Sequence, residues 1–117
     1  SITLPGSEGE FTVLKNHIPL ITALALGEII ARRGGEEFSM TVSGGMTEVQ
    51  PDRVLVLADQ SERAEEIDIE LAEEARRRAE RLMEEKREDV EEFAAAEAEL
   101  QRALMRIKIA KKRKGRL

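Results

Sequence analysis

The chain has 117 residues, of which 37% are charged and only 3% are aromatic, and its formal net charge at pH 7 is −5. It contains no cysteine and one histidine, which excludes disulfides and a cysteine nucleophile and leaves little for a metal site or a catalytic triad. No apolar run approaches the roughly 20 residues of a membrane-spanning helix, and no secretory signal is recognisable, so a cytoplasmic or organelle-interior location is expected.

Residues 1 to 60 hold seven of the eight glycines and all three prolines, and short apolar segments alternate there with turn signals. The predicted strands are Glu10–Leu14, Ile18–Leu26, Glu28–Arg33, Glu36–Val42, Met46–Gln50 and Val54–Ala58. Gly34-Gly35 predicts a two-residue hairpin turn, because glycine adopts positive φ freely, and Pro51-Asp52 predicts a second turn. This pattern predicts a β-sandwich of short antiparallel strands over residues 1–60.

The last predicted strand is apolar at every position. Val54 and Val56 alternate with Leu55 and Leu57, so we expect both of its faces to be buried. The double glycine before Met46 is interpreted as a turn, because it lacks the spacing and the Lys-Ser/Thr of a phosphate-binding loop.

From Ser61 onward, glycine and proline vanish until Gly115, and good helix formers dominate. Apolar residues recur at helical spacing. They are Leu71, Ala75, Ala79 and Leu82, then Phe93, Ala96, Leu100, Ala103, Leu104, Ile107 and Ala110. We predict an antiparallel two-helix hairpin over residues 61–117, with helices from about Asp68 to Lys86 and from about Val90 to Lys112. Asp89 and Glu92 predict an N-cap with a capping-box partner.

Charge is strongly segregated along these helices. Residues 61 to 99 carry sixteen acids and seven bases, whereas eight bases and no acid follow Glu99. The basic end has three interpretations: a solvated helix face, a nucleic-acid patch, or a match for an acidic protein surface. A nucleic-acid role is disfavoured because no aromatic residue is interleaved with the bases. On each helix the apolar residues at helical spacing form a narrow, alanine-rich stripe, and such stripes bury little apolar surface area. We therefore expect a weak contact between the helices that a partner can displace.

Several short motifs resemble one known family. They are Leu4–Phe11 (LPGSEGEF), His17–Leu20 (HIPL), Ser43–Gly45 (SGG), the pair Glu48-Val49, and Val56–Asp59 (VLAD). In this order and spacing they resemble the ε subunit of F-type ATP synthases, in which a β-sandwich precedes a mobile two-helix domain. Because Ser1-Ile2-Thr3-Leu4 is typical of the middle of a strand, the resemblance also implies that the sandwich is N-terminally incomplete.

The resemblance implies a non-catalytic subunit in the rotor stalk of a proton-translocating ATP synthase. The sandwich is then expected to bind the γ subunit and the ring of c subunits, with Glu10 and His17 as candidate c-ring contacts. His17 also has a plainer interpretation, as a polar loop residue. The C-terminal helix is expected to meet the α/β catalytic subunits and to inhibit ATP hydrolysis. The resemblance places the protein peripherally on the cytoplasmic side of a bacterial plasma membrane.

The residues assigned to that inhibitory contact are the basic ones near the end of the second helix. They are Lys108, Lys111, Lys112 and Arg113. The resemblance implies that these side chains meet an acidic segment of a catalytic β subunit, although their place near a helix C-terminus also suits the helix dipole.

Asp68 has two interpretations, as a helix N-cap and as part of a nucleotide site. Some bacterial ε subunits bind ATP through an Ile/Leu-Asp-x-x-Arg-Ala signature together with arginines on both helices. Ile67, Asp68 and Ala72 match this signature, but Leu71 stands where the arginine is required. The further candidate residues are Arg78, Arg102 and Arg106. We therefore expect weak or absent ATP binding and no required cofactor, metal or catalytic residue.

Two other classes of function stay open at this point. A free-standing β-sandwich and helical-hairpin interaction module fits the same pattern, and co-purification with α, β and γ subunits separates it from the ε interpretation. A small enzyme is disfavoured, because no nucleophile–base pair or metal constellation is present.

Overall fold

The structure, a computed structural model, describes residues 1–14 and 19–115. The chain divides into two compact units, Ser1–Ala64 and Glu65–Leu117. The first unit extends slightly past residue 60 because Ser61–Arg63 adds a short strand to it. His17, a candidate contact residue, lies outside the described residues.

The first unit contains two antiparallel sheets. Its strands are β1 Ile2–Gly6, β2 Gly9–Val13, β3 Leu20–Ala23, β4 Gly27–Arg33, β5 Glu36–Val42, β6 Gly45–Val49, β7 Val54–Ala58 and β8 Ser61–Arg63. One sheet has the order β2-β1-β4-β5-β8, and the other has the order β3-β6-β7. The predicted β-sandwich of short antiparallel strands is thus confirmed.

An aliphatic core lies between the two sheets. Its buried members are Leu4, Val13, Leu24, Ile29, Val42 and Val49. Strand β7 adds Val54 and Val56, which are partly buried against this cluster. Phe11 is the only aromatic side chain that packs on the described core, so the core depends on close packing of branched aliphatic groups.

Both predicted tight turns are confirmed. Arg33 pairs with Glu36 across Gly34-Gly35, and Gly34 has a φ of 62°. In the other turn, the Gln50 amide donates to the Arg53 carbonyl at 2.8 Å.

The predicted strand Ile18–Leu26 is wrong in its C-terminal extent, because the observed strand Leu20–Ala23 ends three residues before Leu26, while Ile18 lies outside the described residues. The Leu24 amide donates to the Gly45 carbonyl of the three-stranded sheet at 2.9 Å. The next amide, of Ala25, donates to the Pro5 carbonyl of the five-stranded sheet at 2.8 Å. The chain therefore crosses from one sheet to the other within two residues, which ends the strand.

The prediction that both faces of β7 are buried is also wrong. Val54 and Val56 pack on the core, whereas Leu55 and Leu57 are exposed. Each sheet of a two-layer sandwich has one inner face, so alternate residues of β7 must face outward whatever their polarity.

The second unit is a helical hairpin, as predicted. A single 3-10 turn, Ala64–Glu66, precedes α1 Ile69–Glu85, and α2 Val90–Gly115 follows after a short turn. The Asp89 carboxylate accepts the Glu92 amide at 3.0 Å, which confirms the predicted N-cap. The reciprocal half of the capping box is wrong: the Asp89 amide donates to the Lys86 carbonyl, and the Glu92 carboxylate lies 3.2 Å from the Lys86 ammonium.

Small side chains form most of the seam between the helices. The buried residues of the two helices are Ala72 and Ala79 on α1, and Ala96, Ala103, Ile107, Ile109 and Ala110 on α2. Ile107 and Ile109 lie about 200° apart around α2, so they do not both face α1. Leu71 and Leu104, which were expected in the stripes, are exposed instead. On α1 the seam follows Ala72, one position after Leu71 and about 100° around the helix.

A substitution at Gly45 tests the close approach of β6 and β7. Gly45 has a φ of 119°, and an added Cβ would lie 2.7 Å from the Ala58 Cα and on the Leu57 carbonyl oxygen. We expect Gly45→Ala to lower the free energy of unfolding by about 1–3 kcal/mol or more, through backbone strain and this clash. Urea unfolding measures the change.

Gly35→Ala is the matched control, because Gly35 has no left-handed φ and an added Cβ meets nothing within 4 Å. Its effect should stay within about 1 kcal/mol. Equal losses of stability in the two variants would contradict the close-approach explanation.

Candidate functional site

Four large apolar side chains lie on the solvent side of the three-stranded sheet. We call them the outer sheet face: Ile21 on β3, Met46 on β6, and Leu55 and Leu57 on β7. Their exposed fractions are 66%, 45%, 45% and 65%, respectively. A contiguous apolar surface of this kind is typical of a docking surface in a protein assembly.

The strand register places these side chains side by side. The two rows of paired residues across the sheet are Ile21, Glu48 and Leu55, and Ala23, Met46 and Leu57. Between these rows Thr47 faces inward and is buried, and its hydroxyl donates to the Leu55 carbonyl at 3.0 Å. The outer sheet face is therefore one patch with a single acidic residue, Glu48, in it.

Sequence reasoning missed this surface. The signal was present in β7, whose leucines and valines alternate without a polar residue. In an antiparallel sandwich an apolar residue at every position means that one apolar row faces out, so such a strand indicates an interaction surface rather than double burial.

The candidate contact residue Glu10 is exposed on β2, which is an edge strand of the five-stranded sheet. Its backbone pairs with Pro5 of β1. The other candidate, His17, lies in the segment 15–18 that the structure does not describe, so the two cannot be related by geometry.

The basic residues near the end of α2 differ in their surroundings. Lys108 and Lys111 are exposed. Lys112 is also exposed but takes part in an interaction. The Arg113 Nε lies 3.9 Å from a carboxylate oxygen of Glu65, and both side chains are a little under half exposed. The predicted basic helix end thus contains both exposed and ion-paired cations.

The Asp68 carboxylate accepts the Leu71 amide at 3.2 Å, so the N-cap interpretation is confirmed. Arg78 lies about 15 Å farther along α1, since each helical residue adds about 1.5 Å. Arg102 and Arg106 are one turn apart on α2, and both are half-buried. A ligand that touched all four residues would have to be elongated.

The exposed side of α1 carries its own ion pairs. Arg76 lies 2.9 Å from Glu73 and 2.6 Å from Glu80. The guanidinium of Arg76 donates hydrogen bonds to the carboxylates of Glu73 and Glu80. These bonds, first that to Glu73 and then that to Glu80, raise the pKa of Arg76, which stays charged in any case. These pairs support the helix locally and indicate no reaction.

Within residues 1–14 and 19–115, no three acidic or histidine side chains come together in a way that could hold a metal ion. No helix of this part of the chain is long and apolar enough to span a membrane.

Comparison with known proteins gives matches along almost the whole chain. The family model described as "ATP synthase, Delta/Epsilon chain, beta-sandwich domain" matches residues 1–64. The model described as "ATP synthase, Delta/Epsilon chain, long alpha-helix domain" matches residues 65–111. The two models meet at the boundary between the two structural units.

Curated relatives carry the same description. The ATP synthase epsilon chain of Dehalococcoides mccartyi strain BAV1 is 53% identical over 113 residues, which cover 97% of this chain and 81% of the relative. That of Nitratidesulfovibrio vulgaris strain DP4 is 47% identical over 105 residues, which cover 90% and 78%, respectively.

One solved structure is similar in fold. It is a chain of the mitochondrial ATP synthase of Euglena gracilis, from a cryo-EM structure of OSCP, F1 and the c-ring in rotational state 1. The TM-score is 0.75 at 27% sequence identity, and the match covers 87% of this chain but only 64% of that chain.

Proposed function

Because the chain belongs to the delta/epsilon family of ATP synthase subunits, we propose that it is a non-catalytic subunit of the rotor stalk of a proton-translocating F-type ATP synthase. Its sandwich binds the γ subunit and the c-ring, and its hairpin restrains ATP hydrolysis at the α/β subunits. As a subunit of that complex it lies peripherally, on the cytoplasmic side of a bacterial plasma membrane. The observation that carries the proposal is the pair of family matches, which follow the two structural units.

The outer sheet face supports the docking role of the sandwich. When a partner covers one exposed leucine, the burial contributes at most about 1.5–3 kcal/mol to the binding free energy. This face offers four large apolar side chains. Since association itself costs several kcal/mol, a surface of this size needs most of these side chains to bind. We assign the γ subunit to the outer sheet face, and the c-ring to the region of Glu10.

A double substitution tests this assignment. We expect Leu55→Ser with Leu57→Ser to weaken binding to a γ-containing subcomplex by at least about tenfold, because two apolar contacts are lost. Calorimetry with the purified subcomplex measures the affinity. Both side chains are exposed in the chain alone, so its thermal unfolding should change little.

Phe38→Ser is the control, since Phe38 is 58% exposed but lies on β5 of the other sheet. If the double variant binds as tightly as the control, the outer sheet face is not part of the interface with γ. A wild-type chain that shows no association with γ would instead favour the free-standing interaction module.

The exposed bases of α2 support the inhibitory role. Lys108 and Lys111 are exposed and have no ion-pair partner in residues 1–14 and 19–115, so they can meet an acidic catalytic subunit without breaking a pair there. We expect Lys108→Ala with Lys111→Ala to raise ATP hydrolysis by the intact complex about two- to fivefold at low salt, given the size of exposed charge pairs. Synthesis should change less, because rotation in that direction does not drive the hairpin into its block.

Arg77→Ala with Arg81→Ala is the matched control, because it removes two exposed positive charges from α1. If both double variants leave hydrolysis at the same rate, Lys108 and Lys111 have no part in inhibition and form only a solvated helix end.

Regulatory ATP is proposed to bind weakly or not at all. Asp68 already caps α1, and Leu71 supplies no cation. We expect Leu71→Arg to tighten ATP binding by about tenfold or more, since a hydrogen bond to a charged group contributes about 1.5–3 kcal/mol. Calorimetry measures binding. Leu104→Arg is the control, because Leu104 is likewise an exposed leucine of the hairpin. Tight ATP binding by the unmodified chain would contradict the proposal.

A further inference from the structure

One ion pair joins the two ends of the helical hairpin. Glu65 lies in the 3-10 turn that precedes α1, and Arg113 lies near the end of α2. Their charged atoms are 3.9 Å apart, and both residues belong to the second structural unit. The pair therefore connects segments that are far apart in the sequence, at the end of the hairpin opposite its turn.

The buried residues of the two helices are mostly small. Alanines make up five of the seven, so each alanine contact removes little apolar area from water. Close to the pair, Ile107, Ile109 and Ala110 are buried as well, so the ion pair adds to apolar packing in the last turns of α2. Because the pair is close to half exposed, salt screens it.

The pair also divides the basic residues of α2 into two kinds. Lys108 and Lys111 are exposed while the hairpin is closed, and they can meet a partner in that state. Arg113 already has a carboxylate partner, so an acidic protein surface can take it only in competition with Glu65.

We propose that the Glu65–Arg113 ion pair lowers the frequency with which the last turns of α2 separate from α1, and that an acidic surface of the catalytic subunits competes with Glu65 for Arg113. The second half rests on the proposed inhibitory function, whereas the first half does not. Neutralising Glu65 leaves every base of α2 in place and removes the carboxylate that competes for Arg113. Neutralising Glu65 should therefore strengthen inhibition, whereas removing Lys108 and Lys111 should weaken it.

Hydrogen exchange on the full chain tests the first half. At low salt, Glu65→Gln should speed exchange of the backbone amides of residues 108–113 by about two- to fivefold, the range open to an exposed charge pair. In 1 M salt, where the Debye length is about 3 Å, the difference should disappear. The amides of the sandwich core report on global folding, and their exchange rates should not change.

Two further variants make this test specific. Arg113→Gln should act like Glu65→Gln, and the double variant should exchange no faster than either single one, because both remove the same interaction. Glu74→Gln removes one exposed acid of α1 that makes no ion pair among the described residues, and it should leave exchange unchanged. Equal exchange in Glu65→Gln and Glu74→Gln at low salt would overturn the proposal.

ATP hydrolysis by the intact complex tests the second half. Glu65→Gln should lower the hydrolysis rate, whereas Lys108→Ala with Lys111→Ala should raise it. If Glu65→Gln speeds exchange but leaves hydrolysis unchanged, the ion pair is a structural contact only. The proposed competition between Glu65 and the catalytic subunits for Arg113 is then wrong. Unchanged hydrolysis in both variants would overturn the proposed inhibitory function itself.

Discussion

The aliphatic core between the two sheets is the constraint on which the sandwich depends. It has almost no aromatic filler, so Leu4, Ile29, Val49 and their neighbours must pack closely to exclude water. Within the three-stranded sheet, Gly45 allows β6 to pass close to the backbone of β7. At Leu24 and Ala25, successive backbone amides bond to the two different sheets and connect them.

The same constraint creates the outer sheet face. Each sheet gives one face to the core, and the three-stranded sheet has further apolar residues on its other face. These side chains are exposed in the chain, so they add nothing to its folding by burial. Under the proposed function a partner subunit covers them, which connects the composition of β7 to assembly rather than to stability.

The helical unit is stabilised by different interactions. Its seam is mostly alanine, and its ends are defined by carboxylate caps and ion pairs. Interactions of this kind are weak one by one and respond to salt and to competing charges. The proposed function needs this combination, in which a well-packed sandwich provides the attachment and a marginally packed hairpin responds to charge.

Local features were predictable because their causes are local. The hairpin turn at Gly34-Gly35 and the turn after Gln50 need only glycine or proline at defined positions. The caps at Asp68 and Asp89 need only a short carboxylate before a helical run. The helices, most of the strands and the change from sandwich to hairpin follow from composition and period, and the family resemblance follows from a few short motifs.

The sequence by itself thus determined the two helices, most of the strands, the two tight turns, the N-caps at Asp68 and Asp89, and the family. The tertiary structure alone decided which apolar residues are buried, because burial depends on what lies across from a residue rather than on its own polarity. Leu55 and Leu57 face outward since the second sheet lies on the other side of β7. Leu71 is exposed because α2 packs one position farther around α1, and Arg113 meets Glu65 only because the two helix ends come together in space.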